Sequence, residues 1–545
     1  MADAIALSPG QGAEVLDGLD GQHADEAWKP KTNPWVIALT VTLATFMEVL
    51  DTAIANVSLP HIGGALGATQ NEATWVLTSY LVANAIVLPA AAYLTTFIGR
   101  KKFYMICVAL FGFSSMLCGL APSLPLLIFF RVLQGAGGGG LAPSEQAILA
   151  DTFPPKQLGQ AFALYGIAVV MAPAIGPLLG GWITDNFTWR WIFLINVPVT
   201  LLSLYLVNRL IEDPPNLKRE VAKAKVSGVR PDLLGFGLLA SGFGSLEFVL
   251  DKGQEDDWFD SHVILFFTIL CVTSLVTLLV WELYQLKINK RPIINLTLFK
   301  RKTFTIPFVF MFVLGFMFYS TLVLIPQYVQ TLLGYSAVLA GEVISPGGFA
   351  LLLTMPLVGF LITKVDARWL MCFGVFTLST SLVLMHTISL ESSFRYIMWI
   401  RVYQMAGLSF FFIPINTIAY LGVAKGENND VSGLINLSRN IGGSVGTAFI
   451  GTMLARASQR HQTYMVSHVT PTSSGYIAQM ARLKPFFHGN VQAAQAYIYN
   501  EVQRQSAMLA YLDIIAVIAV MCGLIGPLVF LLGKMEPPKD GPAMH

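Results

Sequence analysis

Ile128-Phe129-Phe130-Arg131-Val132-Leu133-Gln134-Gly135-Ala136-Gly137 returns 270 residues later as Met398-Trp399-Ile400-Arg401-Val402-Tyr403-Gln404-Met405-Ala406-Gly407. Both stretches are apolar, each with one arginine and one glutamine at matching offsets, and each falls in the fourth apolar run of a block of six. A second echo pairs Ala92-Tyr93-Leu94-Thr95-Thr96 with Gly359-Phe360-Leu361-Ile362-Thr363, each after the second run of its block. Two parallel six-helix halves follow. Repeats related about an axis normal to a membrane place a substrate site where the halves meet.

Crossing a bilayer takes about 20 apolar residues. Such runs lie near 35–59, 73–97, 103–121, 124–149, 160–184 and 191–210, and again near 304–332, 338–362, 369–389, 396–422, 433–455 and 507–533. Two more, near 233–250 and 262–284, sit between the blocks. The expected fold is an all-α membrane protein of fourteen transmembrane helices, two six-helix bundles plus two inserted helices. Composition agrees: charged residues are 12% of the chain, against about 25% in soluble domains. Hydrophobic residues reach 54% and mean hydropathy is +0.63. The net charge of +2 gives no argument for nucleic-acid binding. Cys107, Cys118, Cys271, Cys372 and Cys522 sit in apolar stretches without metal-ligand spacing, so no metal site is expected.

The segments divide as a polar, acidic tail 1–34, a first bundle 35–211, linkers and inserted helices 212–303, a second bundle 304–533 and a short tail 534–545. The first tail lacks the basic start and apolar core of a cleavable signal peptide and reads as disordered and cytoplasmic. Charge orients the rest. With the N-terminus in the cytoplasm, the inner segments hold 23 Lys and Arg, the outer segments 8, and the spans three. Both termini are therefore expected in the cytoplasm. The outer loop 456–506 is far longer than its neighbours, carries several aromatic residues, and permits an amphipathic helix over 491–505.

Ionisable groups inside a membrane are costly and point to function. Glu48 and Asp51 are three residues apart on the first span, hence on one helical face. Arg131 enters from the opposite end of the fourth span and reaches the depth of Asp51. Withdrawing the guanidinium lets the buried carboxyl take a proton, and returning it expels the proton. That is a basis for proton coupling; the alternative is a static ion pair holding the two spans together. Arg401 has no evident carboxylate partner and reads as structural. Arg439 opens the thirteenth span near the cytoplasm, where it would bind backbone carbonyls or lipid. Glu145 and Asp513 lie near span ends where water reaches, Glu342 is similar, and Glu247 lies in an inserted helix outside the expected pathway. His386 reads as interfacial.

In the fifth span, Gly166, Gly176, Gly180 and Gly181 allow close helix approach. Pro173 and Pro177 break backbone hydrogen bonds and bend it. A tight, bent contact there would seal the outer side while the pocket opens inward. Gln134, Phe318, Tyr319, Gln327, Gln404, Phe411 and Asn416 are candidates for substrate contact, with plain packing as the alternative for each. Gly137-Gly138-Gly139-Gly140 lacks the Lys-Ser or Lys-Thr of a phosphate loop. No cofactor is expected, and the energy source is a proton gradient.

From Trp35 to Gly533 the chain resembles the major facilitator superfamily, in particular its fourteen-helix drug:proton antiporter branch of the EmrB/QacA type. The resemblance rests on Leu50-Asp51-Thr52 through Leu59-Pro60, Trp75 through Tyr80, Arg131-Val132-Leu133-Gln134-Gly135, Gly166 through Gly181 and Trp189 through Pro198. Asp257-Trp258-Phe259 and Leu298-Phe299-Lys300 are similar to the EmrB subgroup. The family's gating loop reads Gly-x-Leu-x-Asp-x-x-Gly-Arg; here Gly99 and Arg100 are kept, but Ala92 and Thr96 replace the first glycine and the aspartate. A charge-relay gate built on that aspartate lacks its acid. The resemblance implies a bacterial inner-membrane exporter of hydrophobic or amphipathic molecules such as drugs. It also implies a periplasmic membrane-fusion adaptor and an outer-membrane channel as partners, lipid around the spans, and no nucleic acid. A dedicated exporter of one metabolite (a fatty acid, siderophore or aromatic acid) is the alternative. An uptake symporter does not suit the fifth-span motif. No intramembrane nucleophile cluster suggests an enzyme, and a non-transporting scaffold or sensor would not need Glu48 and Asp51 in lipid.

Overall fold

The computed structural model describes residues 30–532 except 227–230, 289, 291, 422 and 424–426, so nearly all of both expected tails lies outside it. Every regular element among the described residues is a helix. The first half comprises α1 (Pro34–Leu66), α2 (Gln70–Ile98), α3 (Arg100–Leu120), α4 (Leu124–Gly138), α5 (Leu141–Thr152), α6 (Pro155–Asn186), α7 (Trp191–Leu194) and α8 (Asn196–Leu210). A basic helix, α9 (Pro215–Val226), leads to α10 (Leu233–Lys252) and α11 (His262–Lys287). The second half holds α12 (Lys302–Thr331), α13 (Ala337–Leu361), α14 (Ala367–Met385), α15 (Phe394–Ala419), α16 (Asn428–His468), α17 (Ser474–Phe486) and α18 (Val491–Leu528).

Among the described residues, twelve helical segments are long and apolar enough to cross a membrane, α4 with α5 and α7 with α8 each counting as one, and the bent α6 makes a thirteenth. The helix α16, at 41 residues, is long enough, but its first three turns are polar. Those turns are almost wholly buried among other helices, so lipid does not dictate their composition. With α16 counted, the structure is consistent with the fourteen spans expected from sequence.

Packing repeats between the halves. In the first, α1 packs on α6, α2 on α4, and α3 on both α4 and α8; in the second, α12 packs on α16, α13 on α15, and α14 on both α15 and α18. Close approaches explain the glycines. A Cβ on Gly442 would stand 2.0 Å from the Phe312 carbonyl oxygen, and one on Gly135 2.3 Å from that of Tyr80. The halves meet where α6 packs on α13 and α15, and α16 on α2 and α5. The inserted α10 lies against α11, α2 and α16. The loop 456–506 is mostly helical: α16 runs to His468, α17 stands between, and α18 already begins at Val491. The helix expected over 491–505 is thus the opening of the last span.

Candidate functional site

Asp51, on α1, is 2% exposed. Its Oδ2 accepts from Arg131 Nη1 at 2.6 Å, and its Oδ1 from Asn196 Nδ2 at 2.7 Å and Gln134 Nε2 at 3.0 Å. Arg131 is fully buried; its Nε donates to the Val76 carbonyl at 2.9 Å and its guanidinium lies 4.3 Å from the centroid of the Tyr80 ring. Arg131 Nη1 also reaches Gln134 Oε1 at 2.8 Å. Arginine and glutamine three apart on α4 share one face, so both aim at α1. The sequence identified Asp51 and Arg131; Asn196, at the start of α8, enters there only as part of the Trp189–Pro198 motif, with no role assigned. Gln134 departs from its expected place in the substrate pocket: both ends of its amide are engaged by the ion pair. One turn earlier on α1, Glu48 accepts from Asn84 Nδ2 at 3.0 Å and Tyr80 OH at 3.2 Å, neutral donors rather than a cation.

A polar seam crosses between the halves. Gln146 on α5 donates to Asn416 Oδ1 at 3.3 Å and accepts from Asn436 Nδ2 at 2.7 Å and Tyr420 OH at 3.4 Å. Tyr165 OH on α6 donates to Asn436 Oδ1 at 3.1 Å and accepts from Arg439 Nη1 at 2.9 Å. Asn416 therefore belongs to this seam. Arg439 is 6% exposed and bonds across to the first half, not to lipid. Glu145 is likewise corrected. It is fully buried, accepts from Thr42 Oγ1 at 2.6 Å, and leaves Oε2 without a partner among the described residues. The end of its span is dry because α16 covers α5 there.

At one end of the bundle, Gly99 turns the chain at φ 88° and Arg100 runs inward, 2% exposed, to pair with Asp151. Asn428 of the second half donates to the other oxygen of Asp151 at 2.6 Å, and Asn429 Nδ2 to Thr95 Oγ1 at 2.9 Å. Arg100 thus has an acid partner, Asp151 at the end of α5, although position 96 is a threonine. Beside it α6 and α13 touch: a Cβ on Gly159 would meet Ile362 Cγ2 at 2.6 Å, and one on Gly359 would meet Gln160 Cα at 3.0 Å. Among the described residues, the direct hydrogen bonds between the two halves lie from this end to the middle of the bundle.

The fifth-span motif, expected to seal the outer side while the pocket opens inward, is divided between two neighbours in this conformation. Gly166 packs close to Met355 and Phe412 of the second half, but Gly176 and Gly180 face Ala53 and Ile54 of α1 in their own half, and Gly181 has nothing within 4 Å of an added Cβ. Between Pro173 and Leu178, where Pro177 stands, α6 bends by 45°. Beyond the bend this helix lies against α1, and the contacts between halves lie from the Arg100 end to the middle of the bundle.

In the second half, Phe318, Gln404 and Phe411 come together around a small cavity lined also by Leu314, Met317, Thr321, Leu378, Met405 and Leu408. Tyr319 is not part of it, its ring filling the space above Gly443, and Gln327 is exposed farther along α12. Arg401 is fully buried and donates from Nη1 to Gln404 Oε1 at 2.5 Å and Thr321 Oγ1 at 3.0 Å. Glu247, placed by sequence outside the pathway, accepts from Ser444 Oγ on α16 at 2.8 Å. Asp513 pairs with Arg460 and His461, each at 2.8 Å. Glu342 and His386 are exposed.

Residues 41–447 match the family model of the Major Facilitator Superfamily. The chain is 35% identical to "Probable multidrug resistance protein EmrY" of Escherichia coli (strain K12), over 91% of this chain and 94% of that protein. It is also 35% identical to "Fatty acid resistance protein FarB" of Neisseria gonorrhoeae, over 91% and 95%. It shares 32% identity with "Multidrug export protein EmrB" of E. coli (strain K12), over 90% and 94%. Among solved structures, the human organic anion transporter MFSD10 aligns with a TM-score of 0.55 at 12% identity, covering 78% of this chain and 94% of that one. The proton:xylose symporter XylE gives 0.55 at 14% identity, covering 88% and 94%. At such identities these two structures speak for the fold alone.

Proposed function

Since the chain belongs to the major facilitator superfamily, and so is a multi-pass membrane transporter rather than an enzyme, we propose that it exports hydrophobic or amphipathic small molecules in exchange for protons. The observation that carries this reading is the carboxylate of Asp51, buried and held by Arg131, Gln134 and Asn196 in a chain whose relatives bear multidrug-resistance names. A shift of α1 against α4 within the first bundle, driven as the two bundles rock, loosens the pair, so Asp51 takes a proton in one state and yields it in the other. The membrane potential adds about 2.3 kcal/mol per charge per 100 mV to that exchange.

By the charge count, the Arg100 end faces the cytoplasm and both termini lie there. The described conformation is then closed on the inside, the state from which substrate leaves outward. The helical projection 456–506 stands on the periplasmic side, with Phe486, Tyr464, Tyr497 and Tyr499 exposed. It offers an aromatic surface to a membrane-fusion adaptor, itself bound to an outer-membrane channel. Deleting 470–500 should spare membrane insertion and abolish adaptor pull-down.

The deciding experiment is drug-dependent proton release from purified protein in detergent, repeated with Asp51→Asn. Wild type should release protons on adding substrate and the variant should not. Release that is equal in both refutes the assignment.

A further inference from the structure

The two halves use the same arginine differently. Arg131 has Asp51 on the neighbouring helix; shifting both positions by 270 gives Arg401 and Thr321. The contact is preserved, with Arg401 Nη1 3.0 Å from Thr321 Oγ1, but the carboxylate is gone. Among the described residues no acid pairs with Arg401, and its Nε and Nη2 have no hydrogen-bond partner at all. A guanidinium stays charged under any physiological condition. Burying it without a counter-ion is among the costliest arrangements a protein can hold. Both partners of its Nη1, Thr321 and Gln404, line the apolar cavity between α12, α14 and α15.

We infer that Arg401 is the head-group site for substrates that carry a carboxylate on an apolar body, such as long-chain fatty acids. The substrate's carboxylate takes the place Asp51 holds in the first half, accepting from the unpartnered Nε and Nη2 in the bidentate geometry that guanidinium favours. The apolar body lies along Leu314, Met317, Phe318, Leu408 and Phe411. As described, the cavity holds little more than about one water, and α12, α14 and α15 must part for the chain to enter. This inference names a substrate class for the export reading above and rests on it. Head-group charge is the discriminating property: cationic amphiphiles are repelled from the same place.

The test is equilibrium binding to purified full-length protein in lipid nanodiscs, without a gradient. Laurate, dodecanol and dodecylamine share a chain and differ in head group. Wild type should bind laurate about tenfold or more tightly than dodecanol, and dodecylamine more weakly still. Thr321→Asp installs an internal counter-ion at the Asp51-equivalent place and should abolish the preference for laurate over dodecanol. Arg401→Gln should do the same by removing the cation. Equal affinities for laurate and dodecanol in wild type overturn the inference, whatever becomes of the variants. So does a laurate preference that survives in well-folded Thr321→Asp. Drug-dependent proton release is scored in the same wild-type preparation. Its absence sinks the export reading; its presence with no head-group preference sinks this inference alone.

Discussion

The half that holds Asp51 and the half that holds Thr321 are built on one plan and filled with different chemistry. In each, an arginine donates to a glutamine three residues on, Arg131 to Gln134 at 2.8 Å and Arg401 to Gln404 at 2.5 Å. In each, the same guanidinium reaches the helix that opens the half. There the likeness ends: Asp51 faces Thr321, and Glu48 corresponds to Phe318. The second half makes the same helix crossing with no carboxylate, so the fold does not require one. A static ion pair is therefore a poor account of Asp51. The first half keeps acids in an expensive place for what they do, while the second lines a cavity with apolar groups.

Making the first half resemble the second is the sharpest way to break this comparison, and carries the largest expected effect. Asp51→Asn keeps an acceptor for Asn196 and Arg131 but removes the titrating group. Drug-dependent proton release should fall to that of protein-free samples. Separating a buried pair costs about 3–5 kcal/mol, and the uncompensated Arg401 argues for the lower end. Thermal unfolding in detergent should show a lowered but cooperative transition. Gradient-powered export by this variant would show that the two halves do not divide the work as argued.

A smaller effect is expected at Glu145, which is fully buried with its Oε2 unpartnered among the described residues. Glu145→Gln keeps the bond from Thr42 and loses the charge. If Glu145 carries a second proton, the number released per substrate should drop without vanishing. An unchanged stoichiometry confines proton traffic to α1.

The comparison also explains what could be read from the chain. Asp51, Glu48 and Arg131 were visible because charge inside an apolar run has few harmless explanations. The repeat about Arg131 and Arg401 revealed the two halves, and their matching helix pairs follow from it. Gln146, Asn436 and Tyr165 were not visible, because amides and phenols in apolar runs are common and the partners lie 270 or more residues away. Glu145 and Arg439 stand out in sequence but read as reachable by water or lipid, which their burial corrects. A span end looks wet in sequence, and only the approach of the other half makes it dry. For the same reason the polar opening turns of α16, around the start of the run near 433–455, make sense only once they are seen buried. Glycines at helix spacing announce close packing without saying against which neighbour, so the approach of Gly176 and Gly180 to α1 is not legible in sequence.

Closure at the Arg100 end gives the next test. At Gly359 a methyl group would stand 3.0 Å from both Gln160 Cα and the Gly159 carbonyl oxygen, backbone atoms with little room to yield. Overpacking of this kind costs about 1–3 kcal/mol, borne only by the state closed at that end. Gly359→Ala should shift the population toward opening there by about tenfold. Maleimide labelling of a cysteine at Asn436 should rise accordingly, and unchanged labelling would mean that α6 and α13 stay in contact throughout the cycle.

The smallest effect tells whether the bonds at this end hold the halves together or only decorate the contact. Asn428 donates to Asp151 at 2.6 Å, while Asp151 keeps its pairing with Arg100 inside the first half. Asn428→Ala thus removes a bridge between halves without leaving a buried charge alone. A hydrogen bond to a charged group is worth about 1.5–3 kcal/mol, and water reaching the loosened end recovers part of it. Opening should increase a few-fold in the same labelling experiment, less than for Gly359→Ala. An effect as large as that of the glycine variant would mean that closure depends on the Arg100–Asp151–Asn428 chain rather than on helix packing.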